Sequence, residues 1–191
     1  AGTWKGRRLE APEGRTTRPM LDRVREALFS VLGRRVEGAA VWDLFAGIGC
    51  LGLEALSRGA RRAWFVERDR RALAVLKANL ERCQGPGAEG PGTLLAGDAW
   101  RPDLCGTADL VFLDPPYAQV RGAGDLLRER LAALRARLAP GGVLVFHYEA
   151  GGTDPAAGLA REVRLWGRSA VAFLAAGEGP GSPQEERRDH E

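Results

Sequence analysis

The sequence predicts an α/β domain: a mostly parallel sheet with helices on both faces, closed by an antiparallel hairpin. Three observations lead there. Short apolar runs of strand length alternate with helical patterns from Val41 to Tyr148. Each run stops at a turn signal, such as Gly47 and Gly49, Gly97-Asp98, or Asp114-Pro115-Pro116. Beyond Gly152 the rhythm changes to two short strands around Gly167-Arg168. A strand–helix alternation of this kind packs its helices on both sheet faces. It binds ligands at the carboxyl ends of the strands, near the reversal in strand order.

Taken in order, residues 1–17 are rich in Gly, Arg and Thr and read as an extended arm or short hairpin. From Pro19 to about Leu32, the apolar residues Leu21, Val24, Leu28 and Val31 recur at helical spacing, and Gly33 suits the helix end. Val41–Phe45 is the first strand, and Ala46–Gly49 its turn. Cys50–Ser57 is a helix closing at Gly59. Arg62–Val66 is the second strand, ending at Glu67, and Asp69 can cap the helix that runs to about Arg82. A Gly/Pro loop spans Gln84–Gly92, and strands follow at Thr93–Ala96 and Ala108–Leu113. Gly124–Leu138 is a helix with Leu126, Leu127, Leu131, Leu134 and Leu138 on its apolar face. Pro140-Gly141-Gly142 turns the chain into a fifth strand, Val143–Tyr148. Glu162–Trp166 and Ala170–Ala175 form the hairpin. Residues 177–191 have few large apolar groups and read as a disordered tail.

A chain of 191 residues suits one core, and 45% apolar with 28% charged residues is ordinary for a globular protein. No apolar run approaches the roughly 20 residues that span a bilayer, so no membrane partner is expected. The polar, basic start does not read as a signal peptide, and a cytoplasmic location is the default. Cys50, Cys83 and Cys105 are odd in number and far apart, which argues against a disulfide framework or a zinc site. With His147 and His190 the only histidines, no metal is expected. Of 28 basic residues only Lys5 and Lys77 are lysines. Arginine suits bidentate phosphate contacts and stacking on bases, although a bias in composition explains such an excess equally well. Residues 1–37 hold nine basic and five acidic residues, a surplus of four against three for the whole chain. A basic arm fits a phosphate-backbone partner.

Two segments carry chemistry. In the first, Asp43-Leu44-Phe45-Ala46-Gly47-Ile48-Gly49, glycines let the backbone turn sharply and approach a ligand. Gly47 to Gly52 also fits the dinucleotide pattern G-x-G-x-x-G, with Glu67 near the distance of a ribose-binding acid. An adenosine-containing cofactor follows, and a nicotinamide dinucleotide stays open. Asp43 tips the balance, because a carboxylate there repels a pyrophosphate and attracts the sulfonium and ammonium of S-adenosylmethionine. Asp43 could equally stiffen the loop, Glu67 pair with Arg68 or Arg70, and Asp98 serve as a helix cap rather than an acceptor for adenine.

The second segment is Asp114-Pro115-Pro116-Tyr117, behind an apolar strand. Two prolines fix the backbone and remove N–H donors, which leaves the Asp114 side chain and the Pro115 carbonyl as acceptors. Two acceptors suit the two hydrogens of an exocyclic base amine, and Tyr117 offers a face for stacking the base. Such an amine is a poor nucleophile, so orientation and electrostatics carry the catalysis. This chemistry needs no histidine, and His147 reads as a packed residue.

The order Asp-x-Phe-x-Gly-x-Gly, an acid after strand two, then Asp-Pro-Pro-Tyr resembles the class I S-adenosylmethionine-dependent amino-methyltransferases. Trp4-Lys5-Gly6-Arg7-Arg8-Leu9, Arg18 to Phe29, and Leu53 to Ala60 are similar to the bacterial RsmD family. The pattern departs at Met20, where the family has Thr. By its standard name, that family methylates guanine 966 at N2 in 16S ribosomal RNA. The resemblance implies a seven-stranded sheet, a methyltransferase domain at 38–176, the basic arm and helix 1–37 as part of the same domain, and a tail at 177–191. It implies S-adenosylmethionine held by Asp43, Phe45, Ala46, Gly47, Gly49, Glu67, Arg68, Asp98 and Ala99. Asp114, Pro115, Pro116 and Tyr117 are then catalytic. Arg7, Arg8, Arg18, Arg23 and Arg25 hold 16S RNA, within a small-subunit particle. An adenine N6 target, in DNA or another RNA, remains open on the Asp-Pro-Pro-Tyr chemistry alone.

Overall fold

The computed structural model of the chain describes residues 2–4, 6–7, 9–10, 22–85, 90–151 and 154–177. The helices are α1 (Asp22–Leu32), α2 (Cys50–Ser57), α3 (Arg70–Gln84), α4 (Tyr117–Val120) and α5 (Gly124–Arg135). The strands are β1 (Ala40–Leu44), β2 (Arg62–Glu67), β3 (Gly92–Ala96), β4 (Ala108–Leu113), β5 (Leu138–Glu149), β6 (Glu162–Trp166) and β7 (Ser169–Ala175). They form one sheet in the order β3-β2-β1-β4-β5-β7-β6. Strands β1 to β5 are parallel, and β7 lies antiparallel between β5 and β6. The order reverses between β1 and β4, so the ends of these two strands frame the expected ligand crevice.

Both sheet faces are covered, which is why β1 is buried along its whole length and β4 at every position but Asp109. In β4, Leu110 and Phe112 pack with α1, α2 and α3, while Val111 and Leu113 pack with α5. Phe29 of α1 meets Phe112 at 5.6 Å between ring centroids. Burying a side chain of this size contributes about 1.5–3 kcal/mol. No helix among the described residues is long and apolar enough to cross a membrane.

Most elements fall where the sequence places them, and Asp69 caps α3 by accepting from the N–H groups of Arg71 and Ala72. Three differ. Helix α5 ends at Arg135, and Leu138 already pairs with Ala108 in β5. Pro140-Gly141-Gly142 is therefore a bulge within β5, where the register jumps from Ala108–Leu138 to Leu110–Val143. Glycine allows it: Gly141 has φ +78°, and a Cβ on Gly142 would lie 2.8 Å from the Ala139 carbonyl oxygen. Helix α4 was not expected. The N-terminal start of α1 near Pro19, Met20 and the tail 178–191 lie outside the described residues.

The arm lies against the body. Thr3 donates its N–H to the Ser57 carbonyl at 2.7 Å, and Glu10 donates to Asn79 Oδ1 at 2.8 Å. Asn79 is fully buried and also donates to the Ile48 carbonyl at 3.1 Å, so it ties the arm to the glycine turn.

Candidate active site

Strand β1 carries Asp43 into the sheet interior, where it is 2% exposed. Its Oδ2 accepts the Gly52 N–H at 2.8 Å. A Cβ on Gly52 would lie 2.3 Å from the Phe65 ring and 2.9 Å from that oxygen, so only glycine lets α2 approach β1 this closely. Burial pushes the Asp43 carboxyl up to about 8; the Gly52 N–H opposes this, and the charges of Asp114 and Glu67 add to it. At neutral pH Asp43 is mostly a neutral anchor of the loop. Stiffening the loop, the second role that the sequence offers Asp43, is the one its Gly52 contact supports.

The turn itself supplies a better discriminator. Phe45 (φ +60°), Gly47 (φ +56°) and Gly49 (φ +86°) all take left-handed backbone. Such a conformation in a non-glycine residue costs on the order of 1–3 kcal/mol and recurs at functional sites. The Phe45 ring stands edge-on to Trp100 at 5.0 Å. Gly47 donates its N–H to Glu67 Oε2 at 2.9 Å, Gly49 to the Ala46 carbonyl at 2.7 Å, and Ala46 to the Val66 carbonyl at 3.1 Å. These are donors that a pyrophosphate would need. Glu67 also accepts from the N–H groups of Arg68 and Asp69 at Oε1, at 2.7 and 2.8 Å. A carboxylate has about four acceptor positions, so Oε2 keeps one for a ligand hydroxyl. Arg68 contributes its backbone to this clasp, and its side chain is exposed.

At the end of β3, Asp98 is exposed and accepts the Trp100 N–H at 3.0 Å, while Ala99 is buried. Trp100 donates Nε1–H to Gln119 Oε1 at 2.9 Å, joining this loop to α4. The acceptors Glu67, Asp98 and Asp114 thus stand at the carboxyl ends of β2, β3 and β4, around the turn after β1.

After β4, Pro115 is buried, Pro116 is exposed and Tyr117 opens α4. The Asp114 side chain is 28% exposed, so a ligand can reach it. Its Oδ1 lies 2.7 Å from Nδ1 of His147, whose Nε2 lies 3.4 Å from the Tyr117 hydroxyl. The two rings meet edge-on at 5.7 Å. His147 is packed, as its place in β5 suggested, but its ring also holds Asp114, which the sequence reading missed. The signal available was position: His147 sits at the carboxyl end of the strand beside β4. Nδ1 can donate to the Asp114 carboxylate, which leaves Nε2 facing the Tyr117 hydroxyl at a distance too long for a strong bond.

The arginines of the N-terminus divide. Arg7 is exposed and lies along the end of α3, where it donates to the carbonyls of Arg82 and Cys83, the latter at 3.0 Å. Arg25 pairs with Asp22 at 2.8 Å, and Arg23 is exposed. Cys50 is pushed up to about 11 by burial, with Arg25 opposing and Asp43, Asp22 and Asp114 adding. The first turn of α1 therefore lies beside the cleft. Arg8 and Arg18 lie outside the described residues.

Comparison with known proteins agrees with this geometry. The model of the family described as conserved hypothetical protein 95 matches residues 1–172. Ribosomal RNA small subunit methyltransferase D of Haemophilus influenzae is 39% identical over 119 residues, covering 61% of this chain and 62% of that protein. Its namesake from Escherichia coli is 41% identical over 124 residues, covering 61% of this chain and 58% of that protein. The matched stretch thus spans about three fifths of these relatives. Among solved structures, the Escherichia coli protein yhhF superposes with a TM-score of 0.74 at 33% identity, covering 92% of this chain and 95% of that one.

Proposed function

Because this chain belongs to the conserved hypothetical protein 95 family, that of the RsmD-type methyltransferases, we propose that it methylates small-subunit ribosomal RNA with S-adenosylmethionine. The target is the exocyclic N2 amine of a guanine, position 966 by the family's name. The observation that carries this reading is Asp114: a reachable carboxylate at the end of β4, oriented by His147 and followed by two prolines and Tyr117.

The residues present fit the cofactor. Its ribose hydroxyls, adenine amine and ammonium are donors, and the strand ends offer acceptors. A Cβ on Gly47 would meet nothing nearer than 4.0 Å, so a ligand can lie against that backbone. Glu67 Oε2 takes a ribose hydroxyl, Asp98 the adenine amine, and the backbone from Phe45 to Gly49, anchored by Asp43, shapes the methionine end. Arg68 and Ala99 line the adenosine side. When bound, S-adenosylmethionine supplies an electrophilic methyl group on a sulfonium.

Asp114 and the Pro115 carbonyl take the two amine hydrogens. This draws the nitrogen lone pair out of conjugation with the ring and aims it at the methyl group. As the N–C bond forms, the S–C bond of bound S-adenosylmethionine would break to leave the neutral thioether, and Asp114 would take the proton that the amine loses. Pro116 fixes the backbone between these groups, and Tyr117 stacks on the base. His147 holds the carboxylate in place, a preorganised contact that needs no rearrangement during reaction. Arg8, Arg18, Arg23 and Arg25 support the RNA, and Arg7 fastens the arm to the end of α3.

The test is methyl transfer to small-subunit particles, and to naked 16S RNA, from a strain without the enzyme, with the modified nucleoside identified by mass spectrometry. N2-methylguanosine is expected. N6-methyladenosine would transfer the same mechanism to a different base, and no product would refute the reading.

A further inference from the structure

The rim of the cleft opposite α1 holds a second set of charges. Glu149 ends β5, two residues beyond His147, so both side chains leave the same face of the strand. Its carboxylate is only 15% exposed, because two guanidinium groups converge on it. Arg121 donates to Oε2 through Nε at 3.0 Å and through Nη2, and Arg168 donates to Oε1 through Nη2. These bonds hold the Glu149 carboxyl below its usual range.

Both arginines are fixed at the backbone as well as at the head. Arg121 follows α4, and its N–H bonds to the carbonyl of Tyr117 at 2.9 Å. Arg168 occupies the two-residue turn between β6 and β7, and its carbonyl accepts the Ala150 N–H at 2.9 Å. Yet the two side chains remain 68% and 75% exposed. A guanidinium has five N–H donors. Glu149 uses two from Arg121 and one from Arg168, which leaves several on each arginine directed to solvent. Two positive charges on one negative leave the cluster net positive.

We propose that Arg121 and Arg168, splayed on Glu149, form a clamp for the RNA phosphates that flank the target base. This inference rests on the reading of the protein as an RNA methyltransferase. A base stacked on Tyr117 has its sugar and phosphates at the mouth of the cleft, and Arg121 is one helical turn from Tyr117. Glu149 spreads and orders the forks in advance, so little side-chain freedom is lost on binding. Phosphate contacts of this kind fix the register of the strand and carry no sequence information. The clamp adds a second set of phosphate contacts to those of the N-terminal arginines, for the strand that carries the stacked base.

The test is binding of fluorescently labelled 16S RNA fragments and of an unrelated hairpin RNA to the full chain, over a range of salt concentrations. Arg121→Gln/Arg168→Gln should weaken both RNAs equally and lower the slope of log affinity against log salt by about 1 per arginine. Arg121→Lys/Arg168→Lys keeps the charges and should keep most of the slope. Affinity for S-adenosylhomocysteine, measured by calorimetry, should be unchanged in both, which verifies the fold. A Gln variant with the wild-type slope would overturn the clamp, while wild-type methyl transfer would leave the proposed function standing. A wild type with no salt-dependent RNA binding would overturn both, and the wild-type arm alone reveals it.

Discussion

Nδ1 of His147 and Oδ1 of Asp114 are 2.7 Å apart, a bond that ties the end of β5 to the turn after β4. Asp114→Ala should abolish turnover with cofactor affinity and folding nearly intact. Asp114→Asn should lose about 10²–10³ in rate, the scale for removing one preorganised electrostatic contact. His147→Ala should lower kcat by up to about 10²-fold, less than Asp114→Asn, because the Asp114 carboxylate keeps its charge and loses only the contact that orients it. His147→Gln, which can still donate to Asp114, should recover part of it. Single-turnover kinetics beside cofactor titration decides the matter: a His147→Ala variant with full kcat would make the contact incidental.

Tyr117 is expected to act through its ring. Its hydroxyl stands 3.4 Å from His147, beyond the usual hydrogen-bond distance, and contributes little. Tyr117→Phe should be nearly silent, whereas Tyr117→Ala should lose about 1–3 kcal/mol of stacking and raise the RNA concentration needed for turnover. Equal losses in the two variants would assign the role to the hydroxyl.

Glu67→Ala should weaken S-adenosylmethionine by about 1–3 kcal/mol, since the ribose loses an acceptor. It should also lower Tm, because the N–H groups of Gly47, Arg68 and Asp69 lose theirs. Calorimetry and thermal unfolding measured together check both effects. A variant with weakened cofactor and an unchanged Tm would mean that the clasp adds nothing to the fold.

Asp43 makes stability depend on pH in an unusual direction. Its carboxyl rises from 3.8 to about 8 in the folded chain. Below pH 4 both folded and unfolded forms hold the proton. From about 4 to 8 only the folded form holds it, so this residue's contribution declines as pH rises. The slope is at most about 1.4 kcal/mol per pH unit, the value for one proton. Asp43→Asn should flatten that decline, and denaturant unfolding across pH 4–9 measures it. Identical slopes in the two proteins would show that Asp43 is ionised in the fold.

The glycine turn and the Asp114–Tyr117 segment are legible in the sequence because each is contiguous and its backbone demands are written in Gly and Pro. Their convergence is legible too, since parallel strands gather their carboxyl ends on one edge. His147 and Glu149 are not, because what matters is their register against β4 and β7, which no local pattern encodes. Pro140-Gly141-Gly142 reads as a turn because bulges and turns ask for the same residues. The arginine surplus misleads in a similar way. Arg58, Arg62, Arg130 and Arg137 stack on Phe29, Trp64, Trp100 and Trp42. Arg7, Arg128 and Arg135 bond backbone carbonyls. Much of the positive charge therefore serves the fold, and composition cannot tell such an arginine from one that meets RNA.

The placement of β7 between β5 and β6 makes the edge strand depend on its neighbour. Strand β6 is synthesised before β7 but joins the sheet through it. Until residues 169–175 pair with β5, the edge from Val143 to Glu149 is open, with its backbone donors and acceptors unmet. The two-residue turn that joins β6 to β7 has Gly167 at φ +61°, as the first position of a type II′ hairpin turn requires. The turn sets Arg168 on Glu149. The spatial order of the sheet departs from its sequence order, and the hairpin that places β6 at the edge also completes the rim of the cleft.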